Sequence, residues 1–454
     1  MTKLQQVIAR LKQQSILILG AGLSGLSCLE FLHAHQIKCA LNDSRDNVID
    51  PEVLAKKYKN VELTLGRWDS ALIEAADLIL ISPGIDPNSP EIAKYIGNQT
   101  EVIGDVELFC RFIDTPIVAV TGSNGKSTVV TALAHVGEAL GKNVVLGGNV
   151  GAPILSQISD DVDCYILELS SFQLETIKSL RAKAAAVLNV SDDHLDRHQT
   201  IENYAAIKRR IYENSELALF NADDARTSTV LGQKQLTFGG VNSTANYRIS
   251  VVEGDYFLNV AGEMVAPLAS LPLAGIHNGL NYLAVLALGN SLGWQTSEML
   301  PHLQTFKGLT HRCQVIDSRD GITWINDSKA TNVGATIAAI EGIAPTIGDK
   351  NQLVIIAGGD GKGADFSPLA KLFKQYVEQV IVLGKDASAI ADQAKSAIQV
   401  DSIEEAVETA NSLTNAGDTV LLSPACASID MFRNYAQRGQ LFADAVQRLG
   451  GKVA

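Results

Sequence analysis

A lysine, four hydroxyl residues and two glycines lie together in TGSNGKST at residues 121–128, where they could hold a phosphate. The segment follows the apolar run PIVAVT and precedes a helical pattern over residues 129–140. A loop between a strand and a helix N-terminus directs backbone N–H groups at a phosphate. We expect Lys126 to reach the terminal phosphates of a nucleotide and the Ser127 hydroxyl to ligate Mg²⁺. Val120 takes the place of the first glycine of the common P-loop, so this motif is a shortened variant.

Three further polar residues could complete a metal site beside this loop. Glu168 directly follows an apolar run, which places a carboxylate at the end of a strand. His194 lies in SDDHLD just past another predicted strand, and the spacing fits a metal or phosphate role as well as a structural one. Lys208 lies on a predicted helix over residues 201–214 beside two arginines, where a solvated surface lysine is the simpler interpretation.

A second glycine motif, G-x-G-x-x-G, covers residues 20–25 between a predicted strand and a predicted helix. Asp43 ends the next predicted strand, and the pair is typical of a dinucleotide site with the acid on a ribose. The same geometry accommodates any diphosphate, including that of a nucleotide-sugar. NAD is the less favoured ligand, because no downstream motif supplies a dehydrogenase site.

Three loops late in the chain each follow a predicted strand: NDSKATN at 326–332, GGDGK at 358–362 and SPACAS at 423–428. Open α/β sheets bind ligands at the carboxyl ends of their strands. Together the loops supply two lysines, several hydroxyl groups and a helix that we expect to begin at Ser428. That set suits a small dicarboxylate, although each loop alone could be an ordinary turn.

The elements that position these loops alternate between strands and helices, which predicts an α/β fold with parallel sheets. We divide the chain into three domains, at residues 1–104, 105–308 and 309–454. One segment departs from the alternation. Residues 235–260 show β patterning without helices, which predicts an antiparallel insertion, and a helix over residues 277–292 should close the second domain.

Composition narrows the classes of function. The chain has 454 residues, 46% of them hydrophobic and 19% charged, with a net charge of −13 that disfavours nucleic acid as a partner. None of the six cysteines forms a C-x-x-C pair, so buried thiols are favoured over a zinc site. No apolar run is long enough to span a bilayer, and the first residues lack the pattern of a signal peptide. We therefore expect a cytoplasmic protein without membrane insertion.

From about residue 15 to residue 449, the combined motifs resemble those of the Mur ligases, the ATP-dependent amide ligases that build the peptidoglycan stem peptide. Besides the loops at 121–128 and 326–332, the resemblance rests on GGNVG at 147–151 and LELSSFQLE at 167–175. It is supported by HN-x-x-N at 277–281, HR at 311–312, GGDGKGADF at 358–366 and LSPACASIDMFRNYAQRG at 422–439.

The resemblance implies a Rossmann-like first domain, a P-loop ATPase-like central domain and a Rossmann-like third domain. It also implies ATP and two Mg²⁺ sites. The implied substrates are UDP-N-acetylmuramoyl-L-alanine and D-glutamate, which are joined through an acyl phosphate. We expect the protein to be a monomer. The first glycine motif then binds UDP, together with one central residue; the implied contacts are Leu23, Ser24, Asp43, Arg45, Gly84 and Asn149. The implied ATP contacts are Gly122, Ser123, Asn124, Gly125, Lys126, Ser127, Thr128, Asn278, Asn281, Arg312 and Asp327.

Matching positions imply the remaining roles as well. The metal ligands would be Ser127, Glu168, His194 and a carbamylated Lys208, which replaces the interpretation of that lysine as a surface residue. The catalytic residues would be Lys126, His194 and Lys208. The D-glutamate pocket would comprise Lys329, Thr331, Lys362, Ser428 and Tyr435, and the family usually has phenylalanine at the last of these.

Two alternatives remain at this point. A folylpolyglutamate synthase would share the P-loop variant and the modified lysine, but such enzymes begin near the P-loop, whereas this chain has the motif at residues 20–25 before it. A non-catalytic nucleotide-binding switch is the other alternative. The presence of Glu168, His194 and Lys208 argues against it.

Overall fold

Short apolar runs form the buried central strands of three sheets in the computed structural model, which describes residues 3–59, 61–229, 232–273, 275–316, 321–348 and 350–449. The runs ILIL, IVAVT and LVIIAG are buried along their whole length. Such continuous apolar strands are typical of parallel sheets that helices cover on both faces. The ends of the first and third predicted domains, residues 1–2 and 450–454, lie outside the described residues.

The first sheet is parallel throughout. Its strands are β1 (Ile16–Leu19), β2 (Ala40–Asp43), β3 (Glu62–Leu65), β4 (Leu78–Ile81) and β5 (Glu101–Ile103). They lie in the order β3-β2-β1-β4-β5. The accompanying helices are α1 (Lys3–Leu11), α2 (Leu23–Ala34), α3 (Pro51–Lys57), α4 (Ser70–Glu74), α5 (Pro90–Ala93) and α6 (Asp105–Cys110).

The second sheet is the largest. Its strands are β6 (Ile117–Thr121), β7 (Val144–Gly148), β8 (Cys164–Glu168), β9 (Ala184–Val187), β10 (Leu217–Asn221), β11 (Lys234–Gly239), β12 (Tyr247–Val252), β13 (Asp255–Val260) and β14 (Glu263–Pro267). They lie in the order β14-β13-β12-β11-β10-β9-β6-β8-β7. Its helices are α7 (Lys126–Ala139), α8 (Ser171–Leu174), α9 (Leu195–His198), α10 (Ile201–Arg209), α11 (Ile276–Ser291) and α12 (Thr296–Leu303).

The predicted antiparallel insertion is only partly correct. Strand β11 pairs in parallel with both β10 and β12, and the antiparallel pairs begin at β12–β13. A parallel crossover usually contains a full helix, but the described part of the β10–β11 connection contains only a 3₁₀ turn, Ala225–Thr227. The absence of a helical pattern therefore does not imply antiparallel pairing here. The helix predicted over residues 201–214 is also shorter, because α10 gives way to a 3₁₀ turn at Arg210–Tyr212.

The third sheet is parallel except at one edge. Its strands are β15 (Gln314–Ile316), β16 (Thr323–Asn326), β17 (Leu353–Gly358), β18 (Gln379–Leu383), β19 (Ala397–Gln399) and β20 (Thr419–Leu422). They lie in the order β15-β16-β20-β17-β18-β19, with β15 antiparallel to β16. The helices are α13 (Val333–Ile343), α14 (Leu369–Tyr376), α15 (Ala387–Ala391), α16 (Ile403–Leu413) and α17 (Tyr435–Leu449).

The prediction that a helix begins at Ser428 is wrong, since α17 begins at Tyr435. The Ser428 carbonyl accepts two bonds of a single turn, from the Phe432 N–H at 2.8 Å and from the Met431 N–H at 3.3 Å. Just before it, Ala427 and Asp360 exchange backbone hydrogen bonds at 2.9 Å. This bridge holds the loop after β20 against the loop after β17 and keeps the chain irregular.

Helices and sheets pack around several cores, one of which spans the first and second sheets. In that core Phe109 of α6 meets Tyr165 of β8 edge-on, with ring centroids 4.9 Å apart. Helices α16 and α17 cover one face of the third sheet, and α13, α14 and α15 cover the other.

No helix among the described residues is long and apolar enough to cross a membrane. The domain boundaries at residues 104 and 308 stay predictions.

Candidate active site

The TGSNGKST segment forms a loop between the carboxyl end of β6 and the first residue of α7. Gly125 is the N-cap of α7 and has φ 82°, a conformation that favours glycine. A Cβ atom there would also lie 2.5 Å from Asn281 Oδ1, because α11 packs closely against the loop at this point. Asn124 and Asn189 fix the loop through reciprocal bonds of 2.8 and 3.1 Å. The loop is therefore held open at a helix N-terminus, as a phosphate site requires.

Two buried amines converge on one carbonyl oxygen of this loop. The Gly122 carbonyl accepts hydrogen bonds from Lys126 Nζ at 2.7 Å and from Lys208 Nζ at 2.9 Å. Burial lowers the pKa of Lys208 well below its usual value, and the nearby Lys126 ammonium lowers it further. Burial also lowers the pKa of Lys126. Burial therefore disfavours the ammonium form of both amines, most strongly that of Lys208.

Glu168 ends β8, beside the P-loop strand β6, and its side chain is buried. One carboxylate oxygen, Oε1, accepts a bond from Asn149 Nδ2 at 2.8 Å. The other, Oε2, is buried without a hydrogen-bond partner among the described residues. A buried carboxylate oxygen with no donor fits a bound cation.

His194 lies at the N-cap of α9 with φ 54° and is partly exposed. Its ring contacts Phe172 with centroids 4.9 Å apart, and its Nε2 lies 3.8 Å from an Asp193 carboxylate oxygen. The contacts of the described residues do not join His194 directly to Lys208 or Glu168. Within the described part of the chain, no group of three or more His, Cys, Asp and Glu side chains forms a metal site.

A cavity between the second and third sheets adjoins the P-loop. It is lined by seven of the predicted nucleotide contacts and by Lys329; the seven are Asn124, Gly125, Thr128, Asn278, Asn281, Arg312 and Asp327. Arg312 Nη2 donates to Ser127 Oγ at 2.9 Å, which joins the two sides of the cavity. Burial raises the pKa of Asp327 to about 7, against the lowering effect of a hydrogen bond from Ser423 Oγ at 3.0 Å.

Arg438 of α17 was not singled out by the sequence reasoning, yet it ties the three late loops together. Its guanidinium is buried and donates to Ser328 O at 2.8 Å, to Cys426 O at 3.1 Å and to Gly358 O at 3.3 Å. These carbonyls belong to the loops after β16, β20 and β17. The sequence gives only a weak signal for this role of Arg438, because the hydrogen bonds from its guanidinium to the strand-end carbonyls depend on tertiary structure.

The residues expected around an amino acid lie on these loops. Lys329 Nζ lies 4.0 Å from the centroid of the Tyr435 ring, a cation–π contact, and burial lowers the pKa of Lys329 to about 8. Lys362 is exposed and has φ 52°, and Thr331 is partly buried. Ser428 is buried beside the Asp360–Ala427 bridge. The described contacts join Lys329 to Tyr435 but do not link Thr331, Lys362 and Ser428 to each other.

The first glycine motif forms a separate site at the carboxyl edge of the first sheet. Although burial raises the pKa of Asp43, bonds from Arg45 and from the Ala21 N–H outweigh it and bring the pKa to about 2. These donors occupy both oxygens, which leaves Asp43 poorly placed for the ribose of NAD. Leu23 is 82% exposed, and a Cβ atom added at Gly84 would meet nothing within 4 Å. Ser24 hydrogen-bonds the buried carboxyl of Asp105.

A strand–loop–helix phosphate site in the middle of three α/β units defines a nucleotide-binding enzyme fold of the P-loop class. Three family models match successive parts of the chain. They describe a Mur ligase MurD-like N-terminal domain over residues 14–104, a Mur ligase middle domain over 120–289 and a Mur ligase glutamate ligase domain over 311–426.

Relatives match along nearly the whole chain. A UDP-N-acetylmuramoylalanine–D-glutamate ligase of Colwellia psychrerythraea is 48% identical and covers 96% of this chain and 97% of its own. One of Coxiella burnetii is 43% identical and covers 95% and 98%. The chain belongs to the Mur ligase family.

Solved structures agree on the fold. The MurF ligase of Thermotoga maritima in complex with ADP superposes with a TM-score of 0.66 at 17% identity, covering 92% of this chain and 96% of that one. The MurC ligase of the same organism gives 0.59 at 19% identity, covering 95% and 98%. The predicted α/β fold with its Rossmann-like and P-loop parts is confirmed.

Proposed function

We propose that this chain is the ATP-dependent ligase that joins D-glutamate to UDP-N-acetylmuramoyl-L-alanine in peptidoglycan precursor synthesis. The observation that carries the proposal is the 48% identity to a ligase of that name over 96% of the chain. The site supports it, because a P-loop, a buried carboxylate and a neutral lysine amine meet at the carboxyl edge of the second sheet.

The reaction must make an amide from a carboxylate, which is a poor electrophile. A carboxylate oxygen of the L-alanine unit attacks the γ-phosphorus of ATP, ADP leaves, and an acyl phosphate results. The amine of D-glutamate then attacks the acyl carbon, loses a proton, and expels phosphate. Lys126 and the N–H groups of the loop stabilise the negative charge on the transferred phosphoryl group. Positioning and electrostatics, rather than covalent help from side chains, dominate such a mechanism.

Two Mg²⁺ ions complete the proposed site, and the orphan oxygen of Glu168 supports the first of them. Ser127 and Glu168 would hold one ion, and His194 with Lys208 the other. Bound Mg²⁺ would neutralise charge on the phosphoryl oxygens. The Ser127 hydroxyl accepts one hydrogen bond from Arg312 and has a second lone pair for a ligand bond.

Lys208 becomes a metal ligand only if its amine is modified. The neutral amine can attack CO₂, so that an N–C bond forms, a proton leaves, and a carbamate results whose single negative charge is shared by two oxygens. The buried position beside Gly122 supports this step, because it favours the neutral amine over the ammonium. Carbamylation also places a negative charge next to Lys126, where the unmodified amine is neutral.

A dicarboxylate amino acid needs donors at both ends. Lys362 and Thr331 take the α-carboxylate, and Ser428 with its loop takes the side-chain carboxylate. Charge-assisted hydrogen bonds of this kind contribute about 1.5–3 kcal/mol each, so losing one lowers affinity roughly tenfold or more. L-Alanine would leave the Ser428 end unpaired. The chain has no Asp-Asn-Pro-Arg motif, which members of the family that add diaminopimelate carry.

The test supplies UDP-N-acetylmuramoyl-L-alanine, ATP and Mg²⁺ with D-glutamate, L-glutamate, L-alanine or L-lysine, and measures phosphate release and amide product. We expect D-glutamate to support the fastest amide formation, with no phosphate release above background when the nucleotide substrate is omitted. Faster turnover with L-alanine or L-lysine would show that the amino-acid assignment is wrong.

We propose that the protein works as a monomer in the cytoplasm, without nucleic acid or a bilayer as partner. The net charge of −13 supports the exclusion of nucleic acid. Sedimentation at several protein concentrations, with and without substrates, measures the oligomeric state directly.

A further inference from the structure

A cavity of about 890 Å³ lies at the opposite end of the strands of the second sheet from the P-loop. It is lined by Pro116 and Ile117, which begin β6, and by Lys183, which precedes β9. The P-loop follows the other end of β6. Small-molecule sites commonly have volumes of about 300–1,000 Å³, so this cavity is large enough for a ligand of its own and is separate from the candidate active site.

The cavity walls come from three segments that are fastened to one another. Lys3 of α1 donates to Ile113 O at 2.7 Å and to Asp114 Oδ1 at 2.6 Å. The buried Glu107 of α6 accepts from Arg111 Nε at 3.0 Å and from the Ser179 N–H at 2.7 Å. Helix α1, the connection after α6 and the loop before β9 therefore form one preorganised surface.

Positive charge is in excess on this surface, although the whole chain is acidic. Three acidic side chains line the cavity: Glu101, Asp114 and Glu216. Six basic side chains line it: Lys3, Arg10, Arg111, Lys178, Arg181 and Lys183. The acidic groups pair with Arg111 at 2.6 Å, with Lys3 at 2.6 Å and with Lys183 at 2.5 Å.

The other three basic side chains, Arg10, Lys178 and Arg181, are exposed and make no ion pair within the part of the chain that the structure describes. Their field is felt inside the cavity. The pKa of Glu101 is lowered mainly by its hydrogen bonds from Arg111, and Lys178 and Arg10 lower it further. Three cations without an ion-pair partner among the described residues, around one recess, are complementary to a compact anion that carries several charges.

We propose that this cavity binds a small polyphosphate anion, held by Arg10, Lys178 and Arg181 and bridging the first and second sheets. Arginine and lysine match phosphate oxygens, the former through paired N–H donors. The apolar floor, which includes Val7, Leu11 and Ile117, leaves the charged rim as the recognition element. The volume of about 890 Å³ suits a small molecule. Because the anion touches segments of both sheets, binding stabilises their junction.

The test compares three proteins, each with the full chain and with ADP and UDP present at saturation to fill the catalytic region. The cavity variant carries Arg10→Gln, Lys178→Gln and Arg181→Gln. The matched control carries Lys371→Gln, Lys374→Gln and Lys395→Gln, which remove three exposed lysines of the third α/β unit. Inorganic tripolyphosphate and inorganic phosphate are titrated by calorimetry, and thermal unfolding is followed in parallel.

We expect tripolyphosphate to bind and raise the melting temperature of the unmodified protein and the control, and to bind the cavity variant at least tenfold more weakly. Ligase turnover should be the same in all three proteins, and the single change Lys178→Gln should give a partial loss of binding. Since the catalytic region is unchanged in both variants, equal tripolyphosphate affinity in the cavity variant and the control would overturn the proposal. Equal affinity for phosphate and tripolyphosphate would overturn it as well.

Discussion

At the scale of single residues, two lysine side chains of the candidate active site are buried next to each other, and this burial determines their protonation. Lys126 and Lys208 both donate to the Gly122 carbonyl, and neither can be fully charged there without cost to the other. Desolvation lowers the pKa of both amines, so a protonated Lys126 depends on a neutral or anionic Lys208. This difference is the physical basis of the two proposed roles, Lys126 as a cation for phosphate and Lys208 as a site for modification.

Replacing Lys126 tests the first of these roles. We expect Lys126→Ala to lower the ligase rate by roughly 10²–10³ or more, because one preorganised contact to developing negative charge typically contributes that much. Phosphate release under saturating substrates measures the effect. Lys142→Ala, which removes an exposed lysine just after the end of the same helix, is the control and should leave the rate unchanged. Near-normal turnover of a folded Lys126→Ala protein would remove the P-loop assignment.

The modification of Lys208 can be observed directly. With ¹³C-labelled bicarbonate, we expect one carbamate resonance that is absent from Lys208→Ala, and loss of activity in that variant with partial rescue by short carboxylic acids. Lowering the pH should protonate the amine and release CO₂, so the resonance and the activity should decline together. An unmodified amine in an active protein with both metal ions bound would contradict the prediction.

At the scale of elements, function depends on loops that a single helix holds together. Helix α17 supplies Arg438, whose guanidinium reaches carbonyls in the loops after β16, β17 and β20. Burial lowers the pKa of Arg438 to about 10, so the group stays charged at neutral pH. Because most residues proposed for the D-glutamate pocket lie on the same loops, we infer that Arg438 positions that pocket.

Changing this arginine should therefore affect one substrate more than the others. We expect Arg438→Lys, which keeps the charge but loses the planar fork, to raise KM for D-glutamate about tenfold with a smaller change in kcat. The KM for UDP-N-acetylmuramoyl-L-alanine should be unchanged. Arg448→Lys, at an exposed position of the same helix, is the matched control. A uniform loss for all substrates would indicate general destabilisation instead of positioning.

Much of the fold was predictable, since buried parallel strands appear as apolar runs and the P-loop has strict order along the chain. The edge strands β5, β15 and β19 have only three residues each, which is too short for local patterning to predict them. The parallel pairing of β11 depends on a crossover without a helix, and the irregular chain at Ser428 depends on the Asp360–Ala427 bridge. Both are tertiary effects that local patterning does not encode. The shared Gly122 carbonyl likewise joins residues far apart in sequence.

At the scale of the whole molecule, the nucleotide cavity is built from two α/β units, so one ligand must join them. The bond from Arg312 to Ser127 crosses this cavity, and a Cβ atom added at Gly334 of α13 would lie 3.0 Å from the side-chain oxygen of Ser191. Ser191 Oγ is buried without a hydrogen-bond partner among the described residues. The contact between the two units is close but polar, and polar contacts of this kind permit relative motion.

We expect substrates to draw the third unit closer to the central one, because the predicted ATP contacts lie on both sides of the cavity, with Lys126 and Asn278 on one side and Arg312 and Asp327 on the other. A ligand shifts such an equilibrium only through contacts that differ between the open and closed states, and contacts from both sides exist together only when the cavity is closed. Small-angle scattering with saturating UDP-N-acetylmuramoyl-L-alanine and a non-hydrolysable ATP analogue should show a smaller radius of gyration. Arg312→Gln removes one cross-cavity contact and should reduce the change. Scattering profiles that superpose with and without substrates would show that the two units keep a fixed orientation, and would place the assembly of the site in local side-chain movement instead.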